Sequence, residues 1–574
     1  MALVEESGDG EVSVPGTIQA LLAARLDQLE PAERGVLERG SVEGRVFHRG
    51  AVQALAPEET HIQLRLTGLV RKELVRPDKA QLRGEDAYRF RHLLIRDAAY
   101  DALPKATRGE LHERFATWLE EHGAELVELD EIVGYHLEQA YRYRVELGGA
   151  GHTEESLGRR AATRLRAAGR RSLTVGDANG ASNLLRRAAS LAEPSGRDGV
   201  ELLLELASAH VYSGDLRDAE ARREEAVTLA RGLGDRVMEL RAECELGDLR
   251  AITTPSFTAE DVLDLGLKAV RELEALGDEQ ALAAAWALIA TGENLRATWQ
   301  GVEVALEHVV EHAHRSGDRR RETEALLFLG PALFWGPTPL SAGLPRLEAI
   351  RQSAREDKWL EAWSLRPVAG FYAMQGRFDE ARELLARAGS ILEELGRPLD
   401  VSTQAFWSGP LELLAGDPAA AERELGPACE TLEASGEKGW LSTMAALRAE
   451  ALYAQDRLEE AEAAVRVSRD AATSDDYDAQ GLWRCAEAKV LARRGQFEEA
   501  ERLAREAIDQ IDRTDEVNHH AEVRMGLVEV LRLAGRADEA GGALGEALAR
   551  YEQKGNEVMT GRARALLDEL STTN

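Results

Sequence analysis

One local pattern recurs ten times, about forty residues apart, through the last four hundred residues, and it restricts this chain to architectures built by stacking. Its clearest form is a small residue followed five positions later by alanine, usually after an acidic pair. It reads Gly376-Arg-Phe-Asp-Glu-Ala381, Asp456-Arg-Leu-Glu-Glu-Ala461, Gly495-Gln-Phe-Glu-Glu-Ala500 and Gly535-Arg-Ala-Asp-Glu-Ala540. Looser copies begin at Gly176, Gly214 and Gly416, and three more, near Ser256, Gln300 and Gly336, keep only the spacing. A second mark falls half a period away, at Gly234-Asp235, Gly277-Asp278, Gly317-Asp318, Glu356-Asp357, Gly396-Arg397, Gly436-Glu437, Asp475-Asp476, Thr514-Asp515 and Gly555-Asn556. Two marks per period predict two helices per repeat.

The chemistry of one unit agrees. Glycine past a helix end adopts the left-handed cap without a Cβ penalty. An acidic residue after it suits the next helix's N-terminus, where free amides and the dipole favour negative charge. The alanine sits where a bulkier side chain would hold two helices apart. A single hairpin cannot bury its apolar face, so hairpins must stack into an α-solenoid, an architecture that usually binds rather than catalyses. Such arrays unfold locally, and a whole repeat can be deleted.

A chain of 574 residues suits a long stack plus one further domain. The net charge of −31 argues against bulk nucleic-acid binding and against anionic membrane surfaces. Three cysteines, Cys244, Cys429 and Cys485, lie too far apart for a dense disulfide framework and fit a reducing cytosol. No apolar run approaches a membrane span, and Met1 to Gly10 lacks the features of a signal peptide. The expected location is cytoplasmic.

Four segments are expected: a disordered N-terminus over 1–13, a winged-helix domain over 14–104, a helical extension and linker over 105–150, and the repeat solenoid over 151–574. In the second segment, Ile18–Leu29 has an amphipathic helical pattern, and Pro31 suits the first position of another helix. Gly68–Pro77 and Tyr88–His92 read as two short strands around a turn-rich Asp78–Asp86, the wing. The fold class is all-α apart from this wing.

The stretches Val14–Leu29, Tyr88-Arg-Phe-Arg-His-Leu-Leu-Ile-Arg-Asp-Ala-Ala-Tyr100 and Gly134-Tyr-His-Leu-Glu-Gln-Ala-Tyr-Arg-Tyr143 carry a family resemblance. They resemble the region after the nucleotide-binding core in bacterial signal-transduction ATPases with numerous domains, the STAND regulators, most closely the branch linked to adenylate/guanylate cyclase domains. The resemblance implies a winged helix followed by tetratricopeptide-like repeats, working with an ATPase or cyclase domain in cis or in trans. The sequence departs from the family in having no Gly-x-x-x-x-Gly-Lys-Ser/Thr phosphate loop and no cyclase domain. By resemblance it is the non-catalytic sensor and protein-interaction half of such a regulator, binding a protein or small-molecule effector and needing no cofactor. Two alternatives stay open: a regulatory fragment of a cyclase or ATPase whose catalytic domains lie elsewhere, and a winged-helix DNA-binding regulator.

His92 opens a helix after a strand. In related ATPases a Met-His-Asp histidine at the matching place contacts the diphosphate of ADP; here the triplet is Arg91-His92-Leu93, and the alternative is a histidine that merely caps the wing. Ile62–Arg108 holds eleven Lys/Arg against six Asp/Glu, a patch suited to DNA phosphates or to a nucleotide-binding neighbour. His308-Val-Val-Glu-His312, with His314 following, has the spacing of an inverted zinc-protease pattern, but it reads as a polar helix face, and no metal is expected. Eight of nine tryptophans lie in the repeats. If Gly376 and Gly416 mark turns within hairpins, Trp363, Arg366, Thr403 and Phe406 project into the concave groove as a ligand-binding strip, while Tyr372 belongs to the core. The alternative is that these tryptophans wedge helices apart.

Overall fold

The computed structural model describes residue 22 and residues 24–573, apart from 175, 255, 355, 356, 396 and 397. The expected disordered segment 1–13, the start of the helix expected at Ile18–Leu29, and the marks at Glu356 and Gly396-Arg397 lie outside the described residues; 24–27 are helical. The chain divides into two compact units, 1–242 and 243–574.

The first unit opens with α1 (Pro31–Glu43), β1 (Val46–His48), α2 (Arg49–Leu55), α3 (Ile62–Arg71), β2 (Val75–Asp78), β3 (Ala87–Phe90) and α4 (Leu93–Asp101). The strands form one antiparallel sheet in the order β1-β3-β2, with Val46 opposite Arg89 and Val75 opposite Phe90. Sequence reading anticipated β3 and most of β2, but Gly68–Arg71, expected as strand, closes α3, and β1 is too short to show alternation. β1 is held by Phe47, whose ring lies against Tyr88 and Phe90 at centroid distances of 6.0 and 5.2 Å. Gly40 of α1 permits this, because a Cβ there would meet the Phe47 ring at 2.9 Å.

Two longer helices follow, α5 (Lys105–His122) and α6 (Leu129–Glu146), with His112 and His136 in contact in their core. Their Nδ1 atoms lie 2.7 Å apart, so one ring donates and the other accepts. The Tyr100 hydroxyl meets His112 Nε2 at 2.7 Å and the Tyr143 hydroxyl at 3.0 Å. Burial, reinforced by Arg96 and Arg108, pushes His112 down to about 3. Burial, then His112 and Arg96, also depresses His136 well below the usual imidazole range. Below the ordinary histidine value near 6.5, the unfolded chain takes up protons that the folded pair refuses. Stability therefore falls as pH drops below about 6.5, and His112 alone contributes up to about 1.4 kcal/mol per pH unit, with His136 acting in the same direction. Hydrogen exchange of residues 105–146 below about pH 6.5 is expected to show this slope, reduced in His136→Gln. An unchanged slope in that variant assigns the pH dependence to other groups.

Ten helix pairs then follow among the described residues. The first two, His152–Thr174 with Ala178–Leu191 and Gly196–Tyr212 with Leu216–Leu233, lie in the first unit, and Arg236–Thr253 contains the division between units. In the second unit Ala259–Leu276 completes the third pair, and the fourth to sixth are Glu279–Leu295 with Trp299–Ser316, Arg319–Trp335 with Leu340–Ser353, and Lys358–Met374 with Phe378–Glu394. The seventh has a divided first helix, Pro398–Ser402 and Ala405–Ala415, before Pro418–Ser435. Gly439–Ala454 with Leu458–Ala471, Tyr477–Arg493 with Phe497–Ile511, and Val517–Leu533 with Ala537–Lys554 complete the pairs, and Glu557–Thr573 ends the chain.

The repeat chemistry is as the sequence implies. Ala381, Ala421, Ala461, Ala500 and Ala540 are all fully buried. Gly376 turns with φ +79° inside a hairpin, and Gly317 with φ +71° between hairpins. Asp318, Asp417 and Asp476 each accept a backbone N–H three residues on, at 2.9–3.1 Å, capping the helix that follows. The three cysteines are buried, and burial pushes their thiols up to about 11 or 12. No helix among the described residues is long and apolar enough to cross a membrane.

Candidate functional site

The residues singled out in the middle repeats do come together, but as an internal joint rather than as an open strip. Arg366 is 1% exposed. Its Nε donates to Gln404 Oε1 at 2.8 Å, Nη1 to Thr403 Oγ1 at 3.3 Å, and Nη2 to the Asp400 carbonyl. Its guanidinium also lies over the Trp363 ring, 4.9 Å from the centroid. The cause is the break at Thr403–Gln404 in the first helix of the seventh pair. The break frees carbonyls at the end of Pro398–Ser402, and Arg366 satisfies one of them. Thr403 is buried, and its hydroxyl donates to the same carbonyl at 2.9 Å. Trp363 is half-buried against Ala362, Leu365 and Leu392. Tyr372, expected in the core, is half-buried, donates to Glu348 and carries the Arg377 guanidinium 3.6 Å from its ring centroid.

Phe406 is buried in an aromatic cluster, 5.2 Å from Trp335 and 5.1 Å from Trp440. Trp335 also packs on Trp407 at 5.6 Å and on His519 at 5.3 Å. The last contact reaches the final repeat because the second unit closes on itself. Both oxygens of Asp515 accept backbone N–H groups at the start of Trp299–Ser316, from Trp299 at 2.7 Å and Gln300 at 2.8 Å. The Trp299 indole N–H donates to Glu516. Lys554, fully buried, donates to the carbonyls of Leu333, Gly336 and Thr338 at 3.1, 2.6 and 2.8 Å. Arg562 of the last helix donates to the Leu414 carbonyl at 2.7 Å. Trp299 and Asp515 are 216 residues apart, so the array completes one turn in about five repeats.

Beside the broken helix lies a cleft of about 650 Å³, between Phe378–Glu394, Ala405–Ala415 and Pro418–Ser435. Arg382, Gln404, Ser408, Glu412, Glu424 and Thr431 supply its polar lining. Arg382 forks onto both carboxylate oxygens of Glu412 at 2.7 Å, and Ser408 donates to Glu424 at 2.8 Å. Gln404 joins the cleft to the buried joint: its Oε1 accepts from Arg366, and its Nε2 donates to the Leu385 carbonyl at 2.8 Å. Arg366 and Thr403 thus stand directly behind the cleft wall. A signal for the cleft was present in the sequence. The residue after the repeat alanine is glutamate at 422, 462 and 501, each pairing with an arginine, whereas after Ala381 it is Arg382.

The other candidates occupy ordinary surroundings. His92 precedes α4, and its Nδ1 accepts the Leu94 N–H at 3.3 Å. In the basic patch, Arg65, Lys72, Arg83, Arg89, Arg96, Lys105 and Arg108 are engaged in ion pairs. His308 stacks on Trp286 with centroids 4.0 Å apart, His312 meets Glu279 at 2.6 Å, and His314 meets Glu322 at 3.1 Å. The three rings therefore face separate partners.

No protein-family model and no curated protein matches the chain. Among solved structures, it is similar to a signal transduction ATPase with numerous domains from Pyrococcus horikoshii that has a tetratricopeptide repeat sensor. The TM-score is 0.50, with 15% identity over 79% of this chain and 65% of that one. The chain therefore spans less than two thirds of that protein's length. Yeast Tom70 aligns with a TM-score of 0.35 and 11% identity, over 82% of this chain and 97% of that one. The likeness at such identities is one of fold, and the fold is an all-α solenoid of tetratricopeptide-like hairpins.

Proposed function

We propose that this chain is the non-catalytic sensor and protein-interaction half of a STAND-type regulator, and that it takes a small polar effector in the Arg382 cleft. The observation that carries the proposal is the cleft's connection to a broken helix. An effector touching Gln404 alters the hydrogen bonds that hold Arg366, and with them the joint between the sixth and seventh pairs. Arg382 and Glu412 offer opposite charges side by side, which suits a zwitterion or a peptide end. Residues 14–104 serve in this proposal as a winged helix; the β1-β3-β2 order and the β2–β3 hairpin support it. The ion pairs that occupy most of the basic patch favour a protein neighbour there over DNA phosphates.

Gly389 offers a clean test. It lines the cleft, and a Cβ built on it meets nothing within 4 Å. Gly389→Trp therefore adds an indole to the cleft lining with no clash at its Cβ, and is expected to obstruct the cleft. A ligand-observed magnetic resonance screen of amino acids and short peptides against the full chain is expected to find binders that this variant no longer holds. Binders retained by Gly389→Trp, or none at all, would overturn the assignment.

A further inference from the structure

We propose that Asp478, Glu516 and His519 form a binding site for one divalent first-row transition-metal ion, of the zinc class, inside the second unit. The three side chains come from two neighbouring helix starts. Asp478 is in the first turn of Tyr477–Arg493, Glu516 precedes Val517–Leu533, and His519 is in the first turn of that helix. His519 Nδ1 lies 2.5 Å from Asp478 Oδ1 and 2.5 Å from Glu516 Oε2, and the ligand atoms all fall within 4.8 Å of one another.

The polar atoms crowd onto one point, where a single nitrogen faces two carboxylates. Asp478 Oδ1, Glu516 Oε2 and His519 Nδ1 are all buried; both carboxylate oxygens converge on the one imidazole nitrogen, and neither contact has good hydrogen-bond geometry. Glu516 is 5% exposed and His519 4%. One imidazole N–H can serve only one carboxylate, and buried polar atoms are paired in the great majority of cases, so two carboxylates converging on one nitrogen require an explanation. A divalent cation supplies one. It gives each atom a bond and balances two carboxylates that burial would otherwise leave in excess.

The surroundings orient these ligands as metal ligands are oriented. The Trp299 indole N–H donates to Glu516 Oε1, which leaves Oε2 for the site. The other imidazole nitrogen of His519, Nε2, lies 3.8 Å from Glu522 Oε2, beyond hydrogen-bond reach, so Glu522 acts on the ring through its charge alone. The Trp335 ring packs on His519 from the side. One imidazole with two carboxylates selects zinc, cobalt or manganese over calcium, which prefers oxygen alone, and over copper(I), which prefers sulfur. Three protein ligands leave a position for water. The other converging group among the described residues, His210 with Asp215 and Asp218, has exposed carboxylates, and Asp215 is already a helix cap.

The competing arrangement is an imidazolium shared between two carboxylates with no metal. The full chain, stripped with chelator and titrated with cobalt(II), distinguishes the two. One equivalent of cobalt with visible d–d absorption is expected, displaced by zinc. Asp478→Asn and Glu516→Gln, which keep shape and remove charge, are expected to weaken binding by at least about 100-fold, since even changes behind the ligands cost about 10–100-fold. The double variant His308→Gln, His312→Gln is expected to bind as the parent does. Circular dichroism confirms that each variant is folded. No cobalt spectrum in the parent chain, or an affinity unchanged in both Asp478→Asn and Glu516→Gln, would overturn the site.

Discussion

Replacing Lys554 with methionine is expected to lower the unfolding free energy of the second unit by about 3–5 kcal/mol. The amine is fully buried and donates to three carbonyls at once. Two of these, from Leu333 and Gly336, belong to the end of the helix Arg319–Trp335, where carbonyls lack intrahelical partners. The third follows in Gly336-Pro337-Thr338-Pro339, a segment in which two prolines lack backbone N–H donors. Methionine fills most of the volume and offers no donor, so each stranded carbonyl costs about 1–3 kcal/mol. Burial pushes the amine down to about 7, while the carbonyl end of a helix favours the ammonium. Denaturant unfolding followed by hydrogen exchange of residues 517–573 measures the effect. Lys358→Met, at a surface lysine paired with Glu394, is the control and is expected to change stability by less than about 0.5 kcal/mol. Equal midpoints for the two variants would mean that water replaces the lysine at those carbonyls.

Arg366→Leu is expected to cost about 2–4 kcal/mol, with the loss concentrated at the joint between the sixth and seventh pairs. Arg366 is the largest of the fully buried side chains, and burial pushes its guanidinium down to about 10. Its partners are a carbonyl, a hydroxyl, a side-chain amide and the face of Trp363. Leucine leaves the Gln404 oxygen and part of the Asp400 carbonyl's capacity unused and empties the space above the indole. Arg366→Lys keeps the charge but cannot reach all these partners in the guanidinium's planar geometry, so it is expected to recover only part of the loss. The measurement is the denaturant midpoint together with exchange of residues 398–415. An open-groove arginine would change stability by less than about 0.5 kcal/mol on truncation, and that result would contradict the buried joint.

Local chemistry explains what was legible. Gly376, Ala381 and Asp318 act within a few residues of themselves, so their roles can be read from neighbours in the chain. Trp363, Arg366 and Thr403 were picked out by repeat spacing, which correctly brought them side by side. Their burial was not legible, because the break at Thr403–Gln404 carries neither glycine nor proline, while Pro410 sits inside the next helix without ending it. Asp515 shows the limit from the other side. Its position after a helix end marks a capping residue, yet the helix it caps begins 216 residues earlier. Lys554 is harder still, since its partners are backbone carbonyls that no side-chain pattern records.

The ring closure alters what a repeat array ordinarily permits. An open stack can gain or lose a unit at little cost, since each repeat answers only to its neighbours. Here Trp299 must arrive at Asp515, and Leu333 at Lys554, after a set number of hairpins. Removing residues 417–456, one period, would rotate the far end away from its partners by a full repeat's angle. Insertions and deletions of whole repeats between residues 299 and 554 are thus expected to cost this unit these contacts, in addition to those between neighbouring repeats. Its length is a quantised property of the fold, like the blade number of a propeller or the strand number of a closed barrel.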